Sequence, residues 1–335
     1  MATHKRYTVN DPDGCNGRIS LEVNEYTIFN KDEFLKFLIK HQGQVIDIEI
    51  PEGPCLTSLG LYDILDLFEF KACTIRTNNI VEPAPSPAYR LEHHDKSFQF
   101  FDVPEDTDYS EYHKWTGKKI FGALYNRPIW HRMGIASHML THHADKVLLN
   151  FRHDPHNQDQ RAFFEIAKLF GVDPNSVKNF MTVSDQFPIQ LEATDGYTVG
   201  ATTQAHTDQL AGFYPDFLID IVSETYTRGC SFYPTEKTIR PMLLKKPFIH
   251  MGSKNFLIHL RQMGFKTFND FWDESYDGFG PDEKYLMILD LIDSMSKMPT
   301  NQLIKMYMGM KDILDHNYNL LKDKKFVQEV VYVND

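Results

Sequence analysis

The chain has 335 residues, with 46 acidic against 35 basic side chains and a net charge of −11. That balance argues against a protein whose affinity rests on wrapping nucleic-acid phosphates, although a local basic groove stays open. With 42% hydrophobic and 13% aromatic residues the chain can fill two cores, and two domains are the default at this length. Four cysteines (Cys15, Cys55, Cys73, Cys230) form no Cys-x-x-Cys pair, against a zinc knuckle or a disulfide scaffold. The N-terminus lacks an apolar signal core and no run approaches the ~18 apolar residues of a membrane span, so a soluble cytoplasmic protein without a membrane partner is expected.

Residues 19–29 alternate apolar and polar side chains, as a hairpin or edge strands would. Asn30 with Glu33 is a capping-box-like start for a helix through about Ile39, and Val45–Ile50 is the next strand. Pro51-Glu52-Gly53-Pro54 turns into a second amphipathic helix near Leu59–Phe68, and Cys73–Arg76 returns as a strand. A strand-helix-strand unit implies parallel pairing with a right-handed crossover. Glu82–Ala88, with prolines at 83, 85 and 87, reads as a linker, and 89–116 as connecting structure. We expect a first α/β domain over 1–112 and a second over 113–335.

The second domain opens with a strand at Lys119–Leu124, a loop at Tyr125–Pro128 and a helix from Trp130 to Leu140. Val147–Phe151 is a strand, and Gln158–Phe170 a helix closed by Gly171. Residues 176–216 show no dependable period. Phe217–Val222 is a near-continuous apolar run, suited to a parallel strand covered on both faces. Next come the loop and helix start Phe232–Pro241, a buried strand at Lys246–Ile249, and a helix over Phe256–Met263 stopped by Gly264. The tail from Glu283 to Leu321 reads as two amphipathic helices broken at Pro299. The short basic runs at Lys118-Lys119, Lys245-Lys246, Lys322 and Lys324-Lys325 are expected to be solvated.

In parallel sheets the ligand crevice lies beyond the carboxyl ends of the strands, where Glu224, Glu236 and Lys237 are placed. A helix N-terminus with an adjacent lysine makes an anion site, and a glutamate there can accept hydrogen bonds from the paired hydroxyls of a ribose. Equally, Thr235 or Thr238 caps the helix while Lys237 and Arg240 are solvated. Arg127, His131 and Arg132 cluster at another carboxyl-end loop, where arginine offers a planar fork to phosphate oxygens.

Thr235-Glu236-Lys237, Arg240-Pro241, the Lys246–Ile249 strand and Gly252 resemble the donor-binding element of GT-B glycosyltransferases, most of all the α-1,3-fucosyltransferase-like enzymes. The similarity is closer to glycosyltransferase-like proteins of tailed phages, which share Gly264–Phe268, Asp273–Asp277, a glutamate matching Glu224, and an Arg-Pro-x-x-His-Arg element matched by Arg127, Pro128, His131 and Arg132. It covers roughly 118–280 and not the N-terminal third. The resemblance implies two Rossmann-like domains facing a central cleft, with a nucleotide-diphosphate sugar as co-substrate and no separate cofactor. Glu236 would hold the donor ribose; Lys237, Arg240, Arg127 and Arg132 would neutralise the diphosphate in place of a metal; Thr235, Glu224, His131, Gly252 and Ser253 would complete the donor site. Glu52, in the loop after the strand ending at Ile50, is the candidate catalytic base. The acceptor would be a hydroxyl on a phage DNA base or a glycan, with no obligate protein partner, in the host cytoplasm if the chain is phage-encoded.

Two rival readings remain: a catalytically inactive nucleotide-sugar-binding or structural protein, and a metal-dependent GT-A enzyme. The second would use Asp11-Pro12-Asp13 or Asp106-Thr107-Asp108, and neither pair follows an apolar strand. His138 and His142, four apart on a helix near His143 and Asp145, lack a His-Glu-x-x-His pattern and read as packed or surface histidines. Dinucleotide, P-loop and Gly-x-Ser-x-Gly signatures are absent.

Overall fold

The computed structural model describes residues 18–22, 31–50, 52–83, 86–93, 98–104, 106–125, 129–151, 178 and 203–328. The chain forms two compact units: Met1–Gln99 with Arg228–Tyr233 and Val330–Asp335, and Phe100–Thr227 with Pro234–Glu329. The first unit therefore ends at Gln99, before the expected boundary at 112, and also takes in part of the loop at 228–233.

The first unit holds β1 (Arg18–Glu22), α1 (Lys31–Lys40), β2 (Val45–Ile50), α2 (Leu61–Leu65), β3 (Ala72–Thr77) and β4 (Tyr89–His93). Its sheet runs β1-β2-β3-β4 with every pair parallel. β1 is thus an edge strand beside β2; Asn30 and the expected strand residues Tyr26 and Ile28 lie outside the described residues. Alternation along β2 sends Ile46, Ile48 and Ile50 into a core shared with Phe34, Leu38, Leu61, Leu65 and Ile75. Arg76 stands opposite Glu49 and Glu92 in register and pairs with Glu92 at 2.9 Å. α2 is shorter than the expected 59–68, starting from Gly60 in the left-handed region (φ 69°) and stopping at Asp66.

The stretch expected to link the domains lies inside this unit. Glu82 is buried, and its carboxylate accepts from Leu56 N (2.9 Å), Thr57 N (3.2 Å), Thr57 Oγ1 (3.2 Å) and Asn79 Nδ2 (2.8 Å). Those four bonds anchor the segment that the prolines alone would leave loose, and β4 follows it as a fourth strand within the 89–116 region expected to be only connecting. Asn79 also holds the returning segment, through Nδ2 to Cys230 O (2.9 Å) and Oδ1 from Phe232 N (2.8 Å).

The second unit contains β5 (Lys119–Tyr125), α3 (Trp130–His143), β6 (Val147–Phe151), α4 (Thr203–Leu210), β7 (Phe217–Ser223), α5 (Glu236–Leu243), β8 (Phe248–Met251), α6 (Phe256–Gln262), α7 (Pro281–Ser296), α8 (Thr300–Gly309) and α9 (Lys311–Lys322). The expected helix at 158–170 lies outside the described residues. Its sheet runs β6-β5-β7-β8, again parallel throughout. All seven residues of β7 are buried, as its apolar run requires. From β5 the chain steps outward to β6, then crosses to the other side of β5 to lay down β7. The order therefore reverses between β5 and β7, the position at which open α/β sheets form a ligand crevice at their carboxyl edge.

α6 stops before Gly264, which takes φ 97°. The tail makes three helices where two were expected: Pro299 starts α8, and a second break at Met310 starts α9. Lys246, expected to be solvated, is instead fully buried, its ammonium donating to Lys114 O and Phe217 O, each at 3.2 Å. Lys245 pairs with Asp315 at 2.7 Å. Both units are mixed α/β with parallel sheets, and none of the described helices is long and apolar enough to cross a membrane.

A Cβ on Gly122 of β5 would meet the Phe217 ring at 2.6 Å, while one on Gly212 meets nothing within 4 Å. Gly122→Ala should therefore lower unfolding free energy by about 1–3 kcal/mol through overpacking, against about 0.5 kcal/mol or less for Gly212→Ala, as read by urea denaturation.

Candidate functional site

The carboxyl edge of the second sheet is built around Glu224, the residue after β7. Its side chain is buried, and its carboxylate accepts from Thr235 N (3.1 Å), Thr235 Oγ1 (2.7 Å) and Thr238 Oγ1 (2.6 Å). Glu224 N in turn donates to Met251 O at the end of β8 (2.9 Å). One residue thus ties the start of α5, through its side chain, and the end of β8, through its backbone N–H, to the end of β7. Glu224 is the clamp of this edge, and its oxygens are already committed to protein donors.

Thr238 carries the network to His250 on β8, with Nε2 3.0 Å from its hydroxyl oxygen. The hydroxyl has one proton and gives it to Glu224, so the imidazole must donate from Nε2. Burial, with Lys284 nearby, holds the His250 pKa well below the usual range, so the ring is neutral. Its Nδ1 is buried with no hydrogen-bond partner among the described residues. The ring stacks on Phe256 at 4.1 Å, and a Cβ on Gly252 would stand 2.5 Å from His250 Cε1. Glycine at 252 is required by that close approach.

Thr235 is the N-cap of α5, its hydroxyl accepting from Lys237 N at 3.3 Å. Lys237 Nζ folds back onto Thr235 Oγ1 (3.1 Å) and Glu236 Oε1 (2.7 Å). Burial pushes the Glu236 carboxyl up, but the charge and hydrogen bond of Lys237, with His206 and Arg240, outweigh it and hold the pKa at about 2. Glu236 is therefore an anion at a helix N-terminus, where the dipole also favours it. The Lys237 side chain retains 21% of its surface in solvent.

One turn on, Arg240 points inward. Its Nε donates to Tyr214 Oη at 2.6 Å, and Tyr214 donates to Asp220 in the middle of β7. Burial raises the Asp220 pKa, opposed by Arg240 and Tyr214, to about 6. Burial lowers the Arg240 pKa, but Tyr214, Asp220 and Glu236 raise it by more. Arg240 thus compensates an interior carboxylate while sharing a helix face with Glu236.

At the neighbouring strand end, Arg132 donates through Nε (3.2 Å) and Nη2 (2.7 Å) to Ser223 O, the last carbonyl of β7. His131 Nδ1 lies 2.8 Å from Ser223 Oγ. Both residues are buried, and burial, then Arg132, hold His131 well below the usual histidine range. Together they bolt the start of α3 to the end of β7 across the switch point. Arg127 lies outside the described residues.

Ser253, after β8, is fully buried, and its carbonyl accepts from Lys284 of α7 at 2.6 Å. Lys284 also pairs with Asp277 at 3.1 Å, while Asp277 Oδ2 caps α6 by accepting from Leu257 N (2.9 Å) and Ile258 N (3.2 Å). The sheet edge therefore gathers His131, Arg132, Glu224, Thr235, Glu236, Lys237, Gly252 and Ser253, while the Arg240 side chain turns into the interior. Glu52, half-buried after β2, belongs to the first unit.

Sequence reasoning missed His206, His250, Tyr214, Asp220, Asp277 and Lys284. His250 and Asp220 do interrupt apolar strand runs, a signal that such a polar residue has a buried partner. In Asp106-Thr107-Asp108, Asp108 accepts from Ser110 N (2.8 Å) and Ser110 Oγ (3.2 Å) to close a local turn. Asp11 and Asp13 lie outside the described residues. Compared with known proteins, the chain matches no family model and no curated sequence.

Two outcomes follow. Thr238→Val deprives buried Glu224 and His250 of a partner and should cost about 1–3 kcal/mol in urea denaturation. Because the folded-state pKa of Glu236 is depressed to about 2, its stabilisation is present above the unfolded pKa of about 4.3 and is lost as pH falls towards 2. The stability gap between the wild type and Glu236→Gln should be constant above about pH 5 and close between about pH 4.3 and 2, measured by urea midpoints across pH.

Proposed function

We propose that the second unit is the donor-binding domain of a GT-B-like glycosyltransferase, which moves a sugar from a nucleotide diphosphate to a hydroxyl acceptor. The observation that carries this reading is the ionised Glu236 paired with part-exposed Lys237 at the N-terminus of α5, on the carboxyl edge of a parallel sheet beside its switch point. A carboxylate in that place accepts the two ribose hydroxyls, and Lys237, by swinging from Thr235 and Glu236, meets the diphosphate. Positive charge held there stabilises the leaving group as the glycosidic bond breaks, the part a divalent cation plays in GT-A enzymes.

In this reading the buried residues are supports. Glu224 and Thr238 hold the α5 start, Arg132 and His131 hold the α3 start, and Gly252 admits the His250 ring. The first unit takes the acceptor, with Glu52 after the carboxyl end of β2 as the base that removes the hydroxyl proton. Acceptors of either class named by the resemblance, a hydroxylated base or a glycan, satisfy that chemistry.

A second reading is favoured by one observation. Arg132 and Arg240 are already engaged in the interior, so among the described donor-site residues Lys237 is the part-exposed cation. A protein that binds a nucleotide sugar without transferring it needs no more than that.

Thermal unfolding against UDP, GDP, CDP and ADP and their common sugars separates these cases. One nucleotide should raise the midpoint by several degrees at ~100 times its dissociation constant, with or without EDTA, and Lys237→Ala should abolish the shift. No shift with any nucleotide would refute the donor site. A shift without release of free nucleotide from any nucleotide sugar, across hydroxylated-DNA and glycan acceptors, would favour the binding protein.

A further inference from the structure

We propose that the carboxyl-terminal ends of α3 and α7 form a site for a borderline divalent cation such as Zn²⁺, with His138, His143 and Asp293 as its ligands. The site is independent of the nucleotide-sugar reading. His138 Nε2 and His143 Nε2 lie 2.7 Å and 2.6 Å from the same oxygen, Oδ1 of Asp293. The three ligating atoms all fall within 4.8 Å of one another. A tetrahedral zinc with bonds of about 2.0–2.1 Å separates its ligand atoms by roughly 3.3 Å, so the two histidine–carboxylate separations need open only by about 0.6 Å to admit it.

Two imidazoles and one carboxylate are a donor set that zinc accepts, with a further position left for water or another ligand. His142, exposed on the same helix end, has its ring centroid 4.8 Å from that of His138 but lies outside the three-ligand group, so the remaining position is left to water. The electrostatics agree, because both helices bring their carbonyl ends, which carry partial negative charge, to this place. The frame is fixed without a cation: Lys146 N donates to His143 O (2.8 Å), and Lys146 Nζ donates to Ser296 O at the end of α7 (2.6 Å). Solvent reaches the donors, since Asp293 keeps 37% of its side-chain surface exposed.

The sequence places His138 and His142 four apart with His143 and Asp145 nearby and reads them as packed or surface histidines; the packing of α7 on α3 brings Asp293, distant in sequence, to His138 and His143. The other cluster of ligand types among the described residues, Cys55, Glu82 and Cys230, is a poorer host. Both Glu82 oxygens already accept from Leu56, Thr57 and Asn79, which leaves two thiols.

The test titrates the full-length protein with Zn²⁺ alone, in competition with a chromogenic chelator, and with Co²⁺ followed by visible absorption. The wild type should bind one Zn²⁺, raise its melting midpoint by several degrees, and give a Co²⁺ spectrum without thiolate charge transfer. Asp293→Asn and His143→Ala should each weaken Zn²⁺ binding at least tenfold, while Asp145→Asn and Cys55→Ser should leave it unchanged. Asp293 is part-exposed, so Asp293→Asn in particular should keep the metal-free midpoint. Absence of Zn²⁺ binding, equal binding by Asp293→Asn, or loss of binding in Cys55→Ser with a thiolate band in the wild type would each overturn the assignment.

Discussion

A single buried carboxylate organises the edge of the second sheet. Glu224 leaves β7 at the point where a ligand crevice would open, and without partners its burial would be strongly unfavourable. Thr235, the N-cap of α5, and Thr238, in its first turn, supply those partners. The loop between β7 and α5 has little regular structure, yet it must deliver these two hydroxyls to one carboxylate. That requirement sets where α5 begins, and so where Glu236 and Lys237 stand.

The same logic extends outward. Thr238 has only one proton, so its bond to Glu224 dictates the His250 tautomer, and the His250 ring dictates glycine at 252. On the other flank, Arg132 closes on the Ser223 carbonyl one residue before Glu224. The charged residues most suggestive of ligand binding in the sequence thus mostly bond to one another and to strand ends at the carboxyl edge of the sheet. Buried polar groups that satisfy one another hold a unique geometry.

Much of the fold was legible in the chain. Val45–Ile50 and Cys73–Arg76 read as strands and form β2 and β3, the unbroken apolar run marked β7, and Gly264 marked the end of α6, because each reports a local constraint of backbone and burial. The less legible parts depend on partners distant in sequence. The proline-rich stretch reads as a linker until Glu82 meets Leu56 and Thr57, and Lys246 reads as solvated until its ammonium finds Phe217 O. α4 lacks a strong apolar stripe, so nothing local announces His206 beside Glu236.

The amino-acid sequence by itself determined the α/β alternation, the parallel pairing, and the placement of Glu224, Glu236, Lys237, His131 and Arg132 at strand ends, because these follow from side-chain periodicity and turn residues. The tertiary structure decided which of those side chains face inward and whom they meet. Glu224 became a clamp, Arg240 the counterion of Asp220, and Asp293 the partner of two histidines far along the chain. Burial and hydrogen-bond pairing are properties of packed neighbours, and no spacing along one strand or helix encodes the approach of another.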